Sequence, residues 1–201
     1  MTEQSKWVQI TQANPDHSTW YVERFRQMAA SGADLVGEAR LVDAMVPRGA
    51  RILDAGCGPG RHGGYLAERG HTVVGVDVDP VLIAAAEEDF PDATWVVEDL
   101  AELDLPARGI TEPFDAILCA GNVMTFLAAS TRREVLRRMA RHLTNDGRAA
   151  IGFGADRGYE FDDFLDDARS AGLVADHLLS TWDLRPATED SDFLVAVLRR
   201  D

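Results

Sequence analysis

The feature that most constrains the fold is the segment RILDAGCGPGRHGGYLAERGHTVVGVDVDP at residues 51–80. Two short apolar runs end close to Asp54 and Asp77, and five glycines crowd the stretch between positions 56 and 64. A strand, a tight glycine turn, a helix and a second strand account for this order of residues. Such a unit belongs to a parallel sheet, and the first strand-to-helix turn is where a sheet of this kind binds its ligand.

The same alternation of strands and helices continues along the chain and predicts an α/β fold with a parallel sheet. Seven strands are expected, at residues 51–56, 72–77, 93–99, 114–122, 148–154, 173–184 and 192–200. Asp79 is expected to cap the helix that follows it, and Thr131 with Glu134 forms a predicted capping box. Only residues 185–191 separate the last two strands, which are therefore expected to pair as an antiparallel hairpin.

The N-terminal region has no place in this alternation. Residues 1–13 are polar, and no helix or strand is assigned to them. Two helices are expected before the first strand, at residues 14–32 and 34–47, with Asn14 and Asp34 as their caps. We expect both helices to cover the carboxyl end of the sheet. Residues 1–47 would then be a helical lid and residues 48–201 the core of a single domain, 1–201.

Charge and cysteine content limit the partners of the chain. The net charge of −14 argues against binding to nucleic acid or to an anionic membrane surface. Five arginines lie between Arg132 and Arg141, which we interpret as a solvated helix face. Cys57 and Cys119 form no CxxC pair, so neither a disulfide framework nor a metal site is expected. No stretch has the length of a membrane span, and we expect a cytoplasmic protein.

Two cofactors suit a glycine turn of this kind, a dinucleotide and S-adenosylmethionine. The dinucleotide pattern GxGxxG fits from Gly58 onward, and Asp77 stands where the ribose partner is expected. Asp54 would repel a pyrophosphate but suits a cationic amino group. Pro59 removes one N–H donor from the turn, and Asp99 at the third strand end could accept a hydrogen bond from adenine. These features and the terminal hairpin favour S-adenosylmethionine.

The glycine segment, together with VVEDL, FDAILCAGNVMTFL and the terminal hairpin, resembles the class I S-adenosylmethionine-dependent methyltransferases. The similarity extends from about residue 50 to residue 200 and is strongest to small bacterial members that act on small molecules. It implies a doubly wound, Rossmann-like, seven-stranded sheet of order 3-2-1-4-5-7-6 with strand 7 antiparallel.

The resemblance also implies which residues bind the cofactor. Asp54, Gly56, Gly58 and Gly60 would surround the methionine part, with the Ala120 carbonyl at its amine and Arg61 at its carboxylate. The remaining residues of the site would hold the adenosine part: Asp77 at the ribose hydroxyls, Val78 on the adenine ring, Asp99 at the adenine amino group and the Leu100 amide at a ring nitrogen.

No catalytic residue is identified by the sequence. His17 and Tyr21 share one side of a predicted lid helix and are candidates for the acceptor side, although they could equally be the seam that packs the lid onto the sheet. Asn122 and Met124 are expected to face the methyl group. Further residues that could complete the acceptor pocket are Trp20, Arg24, Arg157 and Tyr159.

The fourth strand ends in CAGN, which lacks both the (D/N)PP(Y/F) motif of amino-group enzymes acting on DNA and protein and the Pro-Cys nucleophile of cytosine enzymes. We therefore predict a methyltransferase for a small-molecule acceptor and interpret Cys119 as a buried small hydrophobe. Two alternatives stay open from the sequence, a nicotinamide-dependent (NAD(P)) oxidoreductase and a non-catalytic S-adenosylmethionine-binding sensor. The sequence is compatible with both a monomer and a homodimer.

Overall fold

A computed structural model describes residues 3–201, which form a sheet with helices on both faces. The strands are β1 (Arg51–Ala55), β2 (Thr72–Asp77), β3 (Thr94–Val97), β4 (Phe114–Cys119), β5 (Leu143–Gly154), β6 (Leu173–Leu179) and β7 (Phe193–Arg200). The helices are α1 (Lys6–Ala13), α2 (His17–Ala30), α3 (Gly37–Met45), α4 (Arg61–Glu68), α5 (Pro80–Asp89), α6 (Val123–Phe126), α7 (Arg132–His142) and α8 (Phe161–Ser170).

The sheet has the order β3-β2-β1-β4-β5-β7-β6, as the resemblance implies. The strands from β1 to β5 pair in parallel, whereas β7 runs antiparallel to both β5 and β6. The predicted order and the antiparallel terminal hairpin are both confirmed. Because β1 and β4 are neighbours although they are far apart in sequence, the strand order reverses beside β1, and a crevice opens there at the carboxyl ends.

Alternating residues of each strand supply the two halves of the core. Ile52 of β1 packs with Ala39 of α3 and Leu66 of α4 on one face of the sheet. Leu53 points to the opposite face, into a larger cluster that includes Met139 of α7. Burial on both faces explains why the central strands are continuously apolar and show no polar alternation.

The N-terminal region differs from the prediction in two respects. Residues 6–13 form α1, where no helix was expected, and Asn14 ends this helix instead of starting the next one. The helix is found because Ser5 caps it, accepting a hydrogen bond from the Val8 N–H at 3.3 Å. In addition, α3 packs on the face of the sheet beside α4, so only α1 and α2 reach the carboxyl end.

Other differences concern the ends of elements. Strand β5 begins earlier than expected, at Leu143, which pairs with Phe114 across an irregular register. Thr131 and Glu134 form no capping box, because the Thr131 hydroxyl donates to the Ala128 carbonyl and Glu134 pairs with arginines of its own helix. Strand β4 ends at Cys119 and β6 at Leu179, both earlier than expected.

The arginine-rich helix α7 pairs its charges on its outer side. Arg133 forms an ion pair with Asp167 of α8 at 2.8 Å, and Arg138 pairs with Glu134 at 2.9 Å. No helix within residues 3–201 is both long and apolar enough to cross a membrane.

Candidate active site

One cavity of about 260 Å³ opens at the carboxyl ends of β1, β2, β3 and β4. On the sheet side it is lined by the loops that follow these strands. Residues of α1, α2 and α6, and the loop after β5, close the other side. The fold thus brings into one crevice residues as far apart in the sequence as Ser5 and Arg157.

The glycine loop after β1 presents its backbone to this cavity at Gly58. The residue has φ 55°, and a Cβ built there would have no neighbour closer than the Tyr21 ring, at 3.9 Å. Gly121, after β4, also lines the cavity with φ 69°, and a Cβ there would meet nothing within 4 Å. Both positions let a ligand approach the main chain closely.

The neighbouring glycines of the loop serve packing instead. A Cβ on Gly56 would lie 2.5 Å from the Val123 side chain, and one on Gly60 would lie 2.8 Å from Ala86. Gly64 is covered by Phe90, at 2.1 Å from such a Cβ. Helices α5 and α6 can therefore approach the glycine loop closely only because these positions lack side chains.

Asp77 ends β2 at the floor of the cavity. Its carboxylate accepts hydrogen bonds from the Gly58 N–H at 2.9 Å and from the Asp79 N–H at 3.0 Å. Burial raises the pKa of Asp77 to about 6, because the two hydrogen bonds only partly compensate for the loss of water. A carboxylate has about four acceptor positions, so two bonds leave it able to accept from a ligand's hydroxyl groups.

Asp79 ties the N-terminal helices to the core. One of its carboxylate oxygens caps α5 by accepting from the Val81 N–H at 2.9 Å. The other accepts a hydrogen bond from the indole N–H of Trp7 at 2.8 Å and one from the Ser18 hydroxyl. The carboxylate is 6% exposed, so all three donors compensate for its burial. The cap was predicted; the contacts with α1 and α2 were not.

Aromatic rings of α1, α2 and α6 form the upper wall of the cavity. The Trp7 ring lies 5.2 Å from Tyr21 and 5.9 Å from Phe126, edge to face in both pairs. All three residues line the cavity. Burial raises the pKa of the Tyr21 phenol, against the opposing charge of Arg61, so this group is a hydrogen-bond donor at neutral pH.

The site combines a crevice at the strand reversal, an open glycine turn, an acidic residue at the end of β2 and an apolar cover. Together these features fit a nucleoside-containing cofactor. The sequence matches a family model described as a methyltransferase domain over residues 52–147. A solved structure, described as a TehB-like SAM-dependent methyltransferase from Corynebacterium glutamicum, is 53% identical with a TM-score of 0.88. The alignment covers 94% of this chain and 100% of that one. The chain belongs to the class I S-adenosylmethionine-dependent methyltransferases.

Curated class I relatives are similar over shorter stretches. A dTDP-3-amino-3,6-dideoxy-alpha-D-glucopyranose N,N-dimethyltransferase of Streptomyces fradiae is 32% identical over 114 residues, 56% of this chain and 43% of that protein. A magnesium-protoporphyrin O-methyltransferase of Rhodobacter capsulatus is 31% identical over 135 residues, 63% and 54% respectively. The chain spans about half the length of these relatives. The comparisons give no support to the oxidoreductase or to the sensor.

S-adenosylmethionine is the cofactor of the class I methyltransferases, and most residues assigned to it from the sequence line the cavity. Those that do are Gly56, Gly58, Arg61, Asp77, Val78, Asp99, Leu100 and Ala120. Asp99 also accepts a hydrogen bond from the Ala101 N–H at 2.8 Å, which fixes its carboxylate at the turn after β3. Gly60 does not line the cavity.

Asp54, at the other end of the glycine loop, lies behind the cavity wall. Its side chain is 1% exposed and accepts a hydrogen bond from the Gly63 N–H at 2.9 Å. Burial raises the pKa of this carboxyl group, while the nearby His62 and Arg61 charges act in the opposite direction. In this class I methyltransferase, Asp54 therefore braces the start of α4 against β1.

Arg61 reaches the cavity from the first turn of α4. It donates to the Leu35 carbonyl, lies 3.6 Å from a carboxylate oxygen of Glu38 and covers the Phe25 ring. Burial alone would raise the pKa of Glu38, but the hydrogen bond and charge of His62, with the charge of Arg61, lower it to about 2. Glu38 is consequently ionised and holds Arg61 in place.

The candidates on the acceptor side fall into two groups. Tyr21 and Asn122 line the cavity, whereas His17 lies behind the wall, with its ring 5.2 Å from Trp7 and 5.4 Å from Trp20. Asn122 has φ 64°, and its side-chain oxygen accepts a hydrogen bond from the Gly154 N–H at 2.9 Å. Its amide thus links the end of β4 to the end of β5.

Four further residues expected at the pocket, Met124, Tyr159, Trp20 and Arg24, do not line the cavity, and one does. Met124 is fully buried in the core, so it does not face a methyl group. Tyr159 is 2% exposed and stacks on Phe153, so it belongs to the core beneath α8. Arg157 does line the cavity.

Both cysteines are buried, although Cys57 also lines the cavity. Cys119 is fully buried, and burial raises the pKa of its thiol. Burial also raises the pKa of Cys57, as do the charges of Asp54 and Asp77. Neither residue provides a thiolate nucleophile.

Sequence reasoning missed several residues of the class I cavity. They are Ser5, Trp7, Cys57, Pro59, Leu82, Gly121, Val123, Phe126 and Leu127. Ser5 and Trp7 could have been found from the Ser-x-x helix start before an apolar stretch, which is the signal for α1. The residues of α6 follow a strand end directly, and this position alone marks them as candidates.

Proposed function

We propose that this protein transfers the methyl group of S-adenosylmethionine to a small-molecule acceptor. The observation that carries the proposal is the continuity of one cavity, from the Asp77 carboxylate at its floor to the Trp7, Tyr21 and Phe126 rings at its cover. A space that is polar at one end and aromatic at the other suits a nucleoside cofactor beside an organic acceptor.

The residues present fit the cofactor. Asp77 would accept from both ribose hydroxyls, Val78 and Leu100 would contact the adenine, and Asp99 would accept from its amino group. The open backbone at Gly58 and the Ala120 carbonyl would hold the methionine part, with Arg61 at the carboxylate. This support is geometric: these positions border the cavity, and Gly58 leaves room where a side chain would stand.

When bound, S-adenosylmethionine supplies an electrophilic methyl group attached to a sulfonium. The protein has to align the acceptor with that group and keep water out. The rings of Trp7, Tyr21 and Phe126 provide an apolar wall for this purpose. Tyr21 keeps its proton, and the Asn122 amide is engaged with Gly154. Both side chains would therefore orient the acceptor and would not remove its proton, so we favour an acceptor atom that arrives deprotonated.

We also propose that the chain works as a single domain, 1–201, in which α1 and α2 form the working part of the lid. The contacts of Asp79 with Trp7 and Ser18 support this division, because they fasten both helices beside the cofactor loop. The protein would be cytoplasmic, and its net charge of −14 argues against a nucleic-acid or anionic membrane partner. Monomer and homodimer are both consistent with the proposal.

Titration calorimetry with S-adenosylmethionine, S-adenosylhomocysteine and NADH tests the cofactor assignment. We expect binding of the first two and none of NADH. Formation of S-adenosylhomocysteine with a panel of small-molecule amines, phenols and acids, followed by mass spectrometry, then tests turnover. Binding of NADH alone would overturn the proposal. Cofactor binding without methylation across the panel would favour the sensor alternative.

A further inference from the structure

The acceptor side of the cavity contains one arginine whose charge has no partner. Within residues 3–201, all arginines except Arg141 and Arg157 make a side-chain hydrogen bond, an ion pair or a contact with an aromatic ring. Arg141 lies on the outside of α7, whereas Arg157 lies at the mouth of the cavity and lines it. An unpaired guanidinium beside a ligand site is available for an anionic group of the ligand.

The loop after β5 holds Arg157 in position. A Cβ built on Gly154 would lie 3.0 Å from the Arg157 Nε atom and 3.7 Å from the Asn122 side-chain oxygen. The guanidinium therefore extends over Gly154, next to Asn122. The backbone of the loop is fixed in turn: Arg132 donates to the Gly158 carbonyl at 2.7 Å, and Lys6 donates to the Arg157 carbonyl at 3.4 Å.

The other charged groups of the cavity already have assignments. Asp77 and Asp99 lie at the adenosine end, and Arg61, which also pairs with Glu38, is assigned to the methionine carboxylate. Arg157 is therefore the cation left for the acceptor. In a protein with a net charge of −14, an anionic acceptor would be repelled unless a local positive charge offset that field. Arg157 provides such a charge at the mouth, and the Lys6 ammonium lies 3.4 Å from the backbone carbonyl of Arg157.

We infer that the acceptor is an aromatic carboxylic acid whose carboxylate is bound by Arg157. The wall made by Trp7 and Phe126 faces the same space and suits a planar ring, because aromatic pairs pack edge to face or with offset faces. A bidentate pair with Arg157 would fix the direction of that ring relative to the methyl group. This inference rests on the proposed methyltransferase activity and deepens it.

Matched pairs of an acid and its amide test the inference. Benzoate with benzamide, phenylacetate with phenylacetamide and nicotinate with nicotinamide are titrated into the full-length protein loaded with S-adenosylhomocysteine. We expect the acids to bind more tightly than their amides, by about tenfold or more, because only the acids pair with the guanidinium. Equal binding within each pair, including the absence of binding by both members, would overturn the inference.

Substitution of the arginine localises the effect. Arg157→Gln should abolish the preference for acids and leave the affinity for S-adenosylhomocysteine unchanged within about twofold. Arg157→Lys should retain part of the preference for acids, since the point charge of an ammonium replaces a guanidinium that can bind a carboxylate in a bidentate manner. Arg141→Gln removes a charge of the same type elsewhere and should change nothing. An acid preference that survives Arg157→Gln would place the anion site elsewhere. Failure of the unsubstituted protein to bind S-adenosylhomocysteine would instead reject the proposed function.

Discussion

The two ends of the cavity are built in different ways. The cofactor end consists of strand ends and short loops, and its residues fall into three brief stretches around positions 56–61, 77–78 and 99–100, together with Ala120. The acceptor end gathers side chains from α1, α2, α6 and the loop after β5, spread from Ser5 to Arg157. Backbone geometry of the sheet fixes the first end. The second depends on tertiary contacts between separate elements, so substitutions should affect the two ends separately.

The largest effect is expected from Asp77→Ala. The substitution removes the proposed acceptor of both ribose hydroxyls and should weaken binding of S-adenosylhomocysteine by about 10- to 100-fold, the range for lost hydrogen bonds to a charged group. Titration calorimetry measures the change. Asp92→Ala, at an exposed position in the turn before β3, is the matched control and should leave the affinity unchanged. An unaltered dissociation constant for Asp77→Ala would refute the ribose assignment.

The substitution Trp7→Phe should affect folding stability but not cofactor binding. It keeps an aromatic ring in the wall but removes the N–H that donates to Asp79 at 2.8 Å. Since Asp79 is buried, we expect the free energy of unfolding to fall by about 1.5–3 kcal/mol. The dissociation constant for S-adenosylhomocysteine should change by less than about twofold. Urea denaturation and calorimetry give the two quantities.

A double-mutant cycle sharpens this second test. Ser18→Ala removes the other lid donor to Asp79. Because both donors reach the same carboxylate oxygen, the two substitutions should not be additive in the free energy of unfolding. Strict additivity would show that Asp79 does not couple α1 to α2.

The third prediction concerns pH. The pKa of Asp77 is raised to about 6, and the ribose hydroxyls need the ionised carboxylate. Cofactor affinity should therefore be constant above pH 7 or so and fall below pH 6, by at most about tenfold per pH unit for one proton. The stability of the free protein should have the opposite pH dependence. Burial of the ionised Asp77 carboxylate costs folding free energy and protonation removes that cost, so the free energy of unfolding should rise as the pH falls below 6. The pH dependence should vanish in Asp77→Asn; its persistence there would assign the titration to another group.

Much of the fold could be predicted from the sequence because it depends on local signals. Continuous apolar runs that end at Asp54 and Asp77 give strands buried on both faces, and the short connection at 185–191 permits only a hairpin. The Asp79 cap is likewise a local signal. The sheet order came from the resemblance to a family, since nothing in periodicity places β4 beside β1.

The acceptor end could not be predicted to the same degree. Helix α1 is short and polar, and its place over the cavity depends on the contact of Trp7 with Asp79, which lies 72 positions later. Met124 and Tyr159 follow strand ends, as the residues that line the cavity do, yet both side chains are buried in the core. Asp54 was assigned to a ligand, but it is buried behind the cavity wall and accepts a hydrogen bond from the Gly63 N–H at the start of α4.

The position of Asp79 has a consequence for turnover. The residue lies two positions after Asp77 and also caps α5, so the lid is anchored on the segment that we propose binds the ribose. If α1 swings away to exchange ligands, a buried negative charge loses its Trp7 donor and must be rehydrated. Ligand exchange would then be slow compared with side-chain motion, and product release would be the rate-limiting step of the catalytic cycle.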